Sequence, residues 1–153
     1  MNTASPARRR RFLRNCGTLV LLAFAPLRAL AAQWNKSAFE AKAVAESLKH
    51  IGADSIADSG QILLKAPEIA ENGAIVPLEI TSRIPGTQTV YIFAEKNPQP
   101  LAASFEFVAG IEPFVATRIK MNESSPLRIV VKADGKFYGT VREVKVTIGG
   151  CGA

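Results

Sequence analysis

The sequence predicts an all-β fold: an antiparallel β-sandwich with one N-terminal amphipathic helix and a flexible C-terminal arm. Short runs of alternating apolar and polar residues predict the strands, and turn-forming residues separate them about every 8–12 positions. No helical pattern lies between consecutive strands, which argues against a parallel α/β sheet. The strand-like runs are 61–65, 74–82, 87–94, 102–108, 114–121, 127–133 and 136–148.

Residues 1–31 have the features of a cleaved export signal. Five arginines precede an apolar stretch, 17–27, that is too short to span a bilayer. Residues 29–31 supply an A-x-A cleavage site, and residues 9–14 fit the twin-arginine pattern R-R-x-F-L-[KR]. We therefore expect export to the periplasm and no membrane association after cleavage. A segment that stays attached as a membrane anchor is the alternative.

Removal of this signal changes the charge of the chain. The whole sequence has 19 Lys and Arg and 13 Asp and Glu, but the signal holds six arginines and no acid. The remainder has 13 basic and 13 acidic residues, so its formal net charge is zero. A nucleic-acid-binding surface needs an excess of basic residues, and this composition argues against one.

Removal of the signal also leaves one cysteine. Cys16 is lost with residues 1–31, and Cys151, the third residue from the end of the sequence, remains as a single thiol. A single cysteine in an oxidising compartment cannot form an intramolecular disulfide. Cys151 is therefore predicted to be either a reactive thiol or a partner in an intermolecular disulfide.

The region 32–52 is predicted to contain one amphipathic helix over residues 38–51. Ser37 is the predicted N-cap, with Glu40 completing a capping box. Gly52 is the predicted stop. One face of the helix would carry four apolar residues, Ala41, Val44, Leu48 and Ile51.

Residues 53–148 are predicted to form the sandwich. Pro77 predicts that the run 74–82 lies at a sheet edge or bulge, because proline cannot donate a ladder hydrogen bond. Asp134 and Gly135 predict a two-residue hairpin of type I′. Several runs place apolar side chains on one face: Ile75, Leu78 and Ile80; Val90, Ile92 and Ala94; Phe105 and Phe107; Val115 and Ile119.

Residues 149–153 are predicted to form a narrow arm that carries Cys151. Alternation ends at Ile148, and the glycines 149, 150 and 152 have no Cβ with which to pack. Five extended residues span at most roughly 17 Å. A frayed terminus is the alternative, but an exposed thiol is a liability that a purely structural tail has no reason to carry.

The sequence carries no recognisable catalytic or cofactor motif. It lacks C-x-x-C, a haem attachment motif and a phosphate-binding glycine loop. His50 is the only histidine, so a metal site built on it would lack further nitrogen ligands, and we expect it to be solvated at the helix end. We predict no catalytic residue, no cofactor and no metal.

Four motifs in order resemble the SoxY family of sulfur carriers in bacterial periplasmic thiosulfate oxidation. They are residues 66–77 (APEIAENGAIVP), 95–101 (EKNPQPL), 117–121 (TRIKM) and 144–152 (VKVTIGGCG). The resemblance covers essentially the whole chain after residue 31. The family usually ends in G-G-C-G-G, whereas this chain ends in Gly152 and Ala153.

The resemblance implies a fold, partners and a role for Cys151. The fold would be an immunoglobulin-like sandwich, paired with a second β-sandwich subunit, SoxZ. Cys151 would carry the substrate as a covalent adduct on a swinging arm with Gly149, Gly150 and Gly152. The partner enzymes would be SoxAX, a haem enzyme that conjugates thiosulfate, and SoxB, a hydrolase that releases sulfate. The participation of SoxCD, a sulfane dehydrogenase, is left open.

The composition of residues 149–153 predicts that the Cys151 thiol is not activated within the free protein. No cation lies in residues 149–153, and the C-terminal carboxylate is two residues from Cys151. A like charge disfavours the thiolate, so we expect an ordinary or slightly raised pKa for Cys151 in the free protein.

Two further readings stay open at this point. One is a periplasmic immunoglobulin-like binding or structural module that uses Cys151 for an intermolecular disulfide; the other is a redox enzyme subunit. The segments 67–73 and 96–100 are either turns or partner contacts. Four cations, Arg118, Lys120, Lys132 and Lys145, either dock an acidic partner or lie on solvated strand faces.

Overall fold

The computed structural model describes residues 35–147, which form two short helices and nine strands. The helices are α1 (Lys36–Glu40) and α2 (Val44–Ile51). The strands are β1 (Ile56–Asp58), β2 (Ile62–Lys65), β3 (Ile69–Ala70), β4 (Val76–Ser82), β5 (Thr87–Ala94), β6 (Leu101–Glu106), β7 (Phe114–Ile119), β8 (Ser125–Ala133) and β9 (Lys136–Val146).

The strands form two sheets with the main core between them. The larger sheet has the order β1-β9-β8-β5-β6, with β3 beside β9, and the smaller sheet has the order β2-β4-β7. The strands bury alternate residues as the sequence pattern predicts: Val90, Ile92 and Ala94 of β5 all face the core. The all-β, immunoglobulin-like sandwich is therefore confirmed.

Two short parallel pairings extend the otherwise antiparallel arrangement. Strands β1 and β3 both pair with β9 in parallel, at residues 137–139 and 145–146 respectively. Between them the chain crosses to the smaller sheet as β2, which pairs with β4. This crossing places the segment before β4 beside the end of β9.

The N-terminal helix is broken in two, so the prediction of one continuous helix over residues 38–51 was wrong. Ala41 and Ala43 have extended backbone conformations between α1 and α2. The break allows α2 to fold back on α1, where the buried Ser47 hydroxyl donates to the carbonyl of Ala38 at 2.7 Å. Both helices cover the outer face of the larger sheet around Phe93.

The helix cap also differs from the prediction. Asn35, not Ser37, accepts from the amide of Ala38 at 3.1 Å, and its side-chain nitrogen donates to the carbonyl of His50 at 2.9 Å. Glu40 forms an ion pair with Lys36 and not a capping box. Gly52 ends α2 in the left-handed conformation, as predicted.

The sequence predicted that the strand containing Pro77 lies at a sheet edge or bulge. This strand, β4, is instead the middle strand of the smaller sheet, so the edge prediction was wrong. The proline is tolerated because β2 pairs only with residues 79–82 of β4 and leaves one side of Pro77 without a neighbouring strand. Ile75 precedes β4 and is 55% exposed, so it does not share the buried face of Leu78 and Ile80.

The hairpin between β8 and β9 has the predicted form. Asp134 and Gly135 have φ angles of 48° and 73°, and Ala133 pairs with Lys136. Positive φ at both central positions defines a type I′ turn. This turn fixes the register of β9, the strand from which the predicted arm continues.

Candidate functional site: the root of the C-terminal arm

The predicted site residues Cys151, Gly149, Gly150 and Gly152 lie outside the described residues, as do the predicted signal 1–31 and Cys16. The structure describes the chain up to Thr147, four residues before Cys151. It does describe the residues from which the predicted arm continues, here called the arm root: Lys145, Val146, Thr147 and the groups that hold them.

On one side, the root is held by a serine side chain and not by strand β8. The ladder between β8 and β9 ends where Ser125 pairs with Val144. Beyond that point Ser124 Oγ accepts from the amide of Val146 at 2.9 Å and also lies 3.4 Å from its carbonyl oxygen. One hydroxyl therefore contacts both polar backbone groups of Val146.

On the other side, the root is held by β3 and its flanking residues. The amide of Lys145 donates to the carbonyl of Glu68 at 2.9 Å. The amide of Thr147 donates to the carbonyl of Ala70 at 3.1 Å, and its hydroxyl donates to that of Glu71 at 3.3 Å. The amides of three successive residues, 145–147, are thus all bonded, alternately to β3 and to Ser124.

Gly73 closes the packing around the root. Its carbonyl accepts from the amide of Met121 at 2.7 Å. A Cβ on Gly73 would lie 2.5 Å from the carbonyl oxygen of Met121 and 2.8 Å from a methyl group of Val146. Only glycine allows this approach. The segment 67–73, which the sequence left open between a turn and a partner contact, therefore supports β9 within the fold.

The segment 96–100 also has contacts within the fold. Asn97 Nδ2 donates to the carbonyl of Lys120 at 2.8 Å, and its Oδ1 accepts from the amide of Asn122 at 2.9 Å. The preceding residue, Glu95, pairs with Arg128 at 2.7 Å. These contacts lie at the same end of the sandwich as the arm root, since β5 ends and β8 begins there.

Charges of both signs surround the root. A shallow cavity of about 280 Å³ beside β3 and β9 is lined by two acids and two bases. The Arg142 guanidinium donates to the carbonyl of Ala66 at 3.1 Å. The cavity residues are Glu68, Ile69, Arg142, Glu143 and Lys145.

The four cations that the sequence suggested as a docking site are not brought together. Arg118 is on β7 of the smaller sheet, whereas Lys132 is on β8 of the larger sheet, 5.9 Å from the centre of the Phe137 ring. Arg118 instead lines a groove of about 530 Å³ on the smaller sheet, next to Pro77. A single basic face formed by all four is therefore not present.

The described residues carry neither a metal site nor a membrane-spanning helix. Among residues 35–147 no group of three or more His, Cys, Asp and Glu could hold a metal ion. His50 is exposed on α2, with Nε2 3.9 Å from a carboxylate oxygen of Glu46. In the same range, no helix is both long and apolar enough to cross a bilayer.

The contacts by which Ser124 and Thr147 hold the arm root were not predicted from the sequence. Each is a common polar residue in an unremarkable context, and the contact that links Ser124 to Val146 spans 22 positions. Alternation along β9 predicted the strand, but nothing local indicated which groups hold its end.

Two comparisons with known proteins, one with family models and one with solved structures, agree with each other. The family model described as sulfur oxidation protein SoxY matches residues 48–151. A solved structure of the sulfur carrier protein SoxY from Chlorobium limicola f thiosulfatophilum is 42% identical, with a TM-score of 0.60, covering 68% of this chain and 96% of that chain.

A second solved structure and the search of curated proteins give no further information about the family. A chain from a structure of T cell activation by the bacterial superantigen toxic shock syndrome toxin-1 is 14% identical, with a TM-score of 0.38, covering 56% of this chain and 99% of that chain. That likeness is too weak to carry an argument. The search of curated proteins gave no match. On the family match and the 42% identical structure, this chain belongs to the SoxY family.

Proposed function

We propose that this protein is a covalent sulfur carrier in thiosulfate oxidation and that Cys151 is the attachment site. The observation that carries the proposal is the SoxY family match, which extends from residue 48 to residue 151 and so includes the cysteine. The 42% identical relative is itself a sulfur carrier protein.

The geometry of the arm root supports this role. Thr147 is fixed by hydrogen bonds to Ala70 and Glu71, and Cys151 lies four positions beyond it. Four extended residues span about 14 Å. A thiol on such a tether can enter a cleft of a partner enzyme while the sandwich stays outside, and glycines at 149, 150 and 152 keep the tether narrow.

The proposed chemistry begins with loading of the thiol. The Cys151 sulfur bonds to the outer sulfur of thiosulfate, the thiol proton is released, and two electrons leave to the conjugating enzyme SoxAX. Hydrolysis by SoxB then cleaves the bond between the outer sulfur and the sulfonate. Water supplies the fourth oxygen of sulfate, two protons are released, and a persulfide anion remains on Cys151.

The carrier itself catalyses none of these steps in this proposal. A second β-sandwich subunit, SoxZ, is its proposed stable partner, and SoxAX and SoxB are proposed as transient partners; participation of SoxCD stays open. The location is the periplasm, on the basis of the twin-arginine pattern in residues 9–14. Fractionation of cells that express an Arg9→Lys, Arg10→Lys variant tests this location, because blocked export would retain the protein in the cytoplasm.

Intact-mass measurement tests the function. The protein is incubated with thiosulfate and SoxAX, and a Cys151→Ser variant is treated in the same way. We expect one thiosulfate-sized adduct on the native protein and none on the variant. A disulfide-linked dimer that reductant separates, with no adduct, would instead support the binding module that uses Cys151 for an intermolecular disulfide.

A further inference from the structure

We propose that Ser124 is a positioning residue that fixes where the C-terminal arm begins, and thereby sets the reach of the Cys151 thiol. A functional role for Ser124 in setting the reach of the thiol rests on the proposed carrier function. The contacts that hold the arm root involve residues 68–73, 124 and 144–147, all of which the structure describes.

The end of β9 is the part of that strand with the least support from neighbouring strands. Up to Val144 it is paired with β8 over nine residue pairs. Residues 145 and 146 pair only with β3, which is two residues long. Without a group on the β8 side, this end would be a short edge attached on one side alone, and such ends fray.

Ser124 supplies the missing contact on the β8 side. Its hydroxyl accepts from the amide of Val146 at 2.9 Å, where continuation of β8 would otherwise be needed. Ser124 is partly buried, and the next residue, Ser125, is fully buried, with its hydroxyl accepting from the amide of Lys96 at 3.1 Å. The position of Ser124 is therefore fixed by the body of the sandwich.

The consequence is a defined tether length. With the contact in place, Cys151 lies four positions beyond the last anchored residue, Thr147, and four extended residues reach at most about 14 Å. If residues 145–147 detach, the last anchored residue is Val144, seven positions before Cys151, and seven extended residues reach at most about 25 Å. Its origin also moves back along the sandwich by about 10 Å. The anchored form therefore confines the thiol to one end of the protein.

The two forms differ in which surface sites the thiol can reach. Asp58 is exposed at the end of β1 and pairs with Gly139, eight residues before Thr147, or about 26 Å back along the strand. Since a disulfide joins Cα atoms about 5.5 Å apart, the anchored arm reaches about 20 Å and falls short of this position. From Val144 the separation is only about 17 Å, and the detached arm reaches it easily.

Disulfide trapping in the full chain tests the proposal. The background is Cys16→Ser, with Asp58→Cys as the distant trap for Cys151. Loss of one hydrogen bond of ordinary net strength raises local opening about fivefold. We therefore expect Ser124→Ala to speed both trapping at position 58 and amide exchange at Val146 and Thr147 by about that factor. Ser124→Thr, which retains the hydroxyl, should restore both rates.

A nearby trap provides the matched control. Ile69 is 58% exposed and pairs with Lys145, two residues before Thr147, so Cys151 can reach a cysteine there in either form. Trapping with Ile69→Cys should change little in Ser124→Ala. Faster amide exchange without faster trapping at position 58 would show that Ser124 has only a structural role and would overturn the proposal, as would no change in either rate. Neither readout requires thiosulfate or an enzyme, so failure of adduct formation would count against the carrier function and not against this inference.

Discussion

Asn97 and Asn122 are 25 positions apart in sequence and are joined by a hydrogen bond of 2.9 Å from the amide of Asn122 to the side-chain oxygen of Asn97. The same side chain donates to the carbonyl of Lys120 at 2.8 Å. Asn97 thus connects the turn after β5 to the turn between β7 and β8. The latter turn contains Ser124, so this contact helps to place the group that holds the arm root.

Replacement of Asn97 should loosen that connection. Asn97→Ala removes both hydrogen bonds in a solvent-accessible turn, and we expect the free energy of unfolding to fall by about 1 kcal/mol. Asn97→Asp keeps the acceptor but loses the donor to Lys120, so its effect should be smaller. Urea denaturation measures both. The exposed Gln99, two residues away, is the control, and an equal effect of Gln99→Ala would contradict the specific role of Asn97.

Gly73→Ala should destabilise the protein through the packing of β9. A methyl group at Gly73 meets the carbonyl of Met121 at 2.5 Å and Val146 at 2.8 Å, and the backbone contact cannot be relieved by a rotamer change. Overpacking of this kind costs about 1–3 kcal/mol. Thermal and urea unfolding should both detect the change.

Gly60 offers the matched control for Gly73. A Cβ at Gly60 has no atom within 4 Å, so Gly60→Ala should change the free energy of unfolding by less than about 0.5 kcal/mol. If the two variants behave alike, the close approach at Gly73 does not constrain the fold.

The sequence predicted those parts of the fold that are determined by residues close together in the chain. Alternation identified the seven longer strands, and Asp134 and Gly135 identified the hairpin, because side-chain direction and turn geometry are local properties. The three-residue β1 and the two-residue β3 were not predicted, since strands so short form only through their pairing with β9. The broken helix escaped prediction for the same reason, because the bond between Ser47 and Ala38 depends on how the two segments pack.

The sequence predicted which residue of the candidate site is reactive, but it did not predict which residues hold the arm root in place. The lone Cys151 and its flanking glycines are visible in the sequence and remain a prediction. The residues that hold the arm root come from distant segments: Ser124 is 22 positions from Val146, and Glu71 is 76 positions from Thr147. Nothing in local composition indicates such contacts.

The stability of the sandwich should fall at alkaline pH in part through Tyr91. Burial raises the pKa of Tyr91 above 10.0, the Glu106 carboxylate adds to this, and a hydrogen bond with Thr89 opposes it. Because the folded-state pKa is raised, the stabilisation is fully present below pH 10 and is lost as the pH rises through the folded-state pKa. Tyr91→Phe should show a shallower decline of the free energy of unfolding above pH 10. Parallel curves for the two proteins would contradict the assignment.

Cys151 should behave as an ordinary thiol until a partner enzyme receives it. No cation lies in residues 149–153, so these residues give the thiolate no electrostatic stabilisation. We expect the alkylation rate of the free protein to rise with pH and to reach half its maximum near pH ~8.5 or slightly above. Cys151→Ser should leave the unfolding temperature unchanged, because no large apolar side chain follows Ile148. An alkylation midpoint well below pH 7, or a lower unfolding temperature in Cys151→Ser, would mean that the body of the protein itself contacts and activates the thiol.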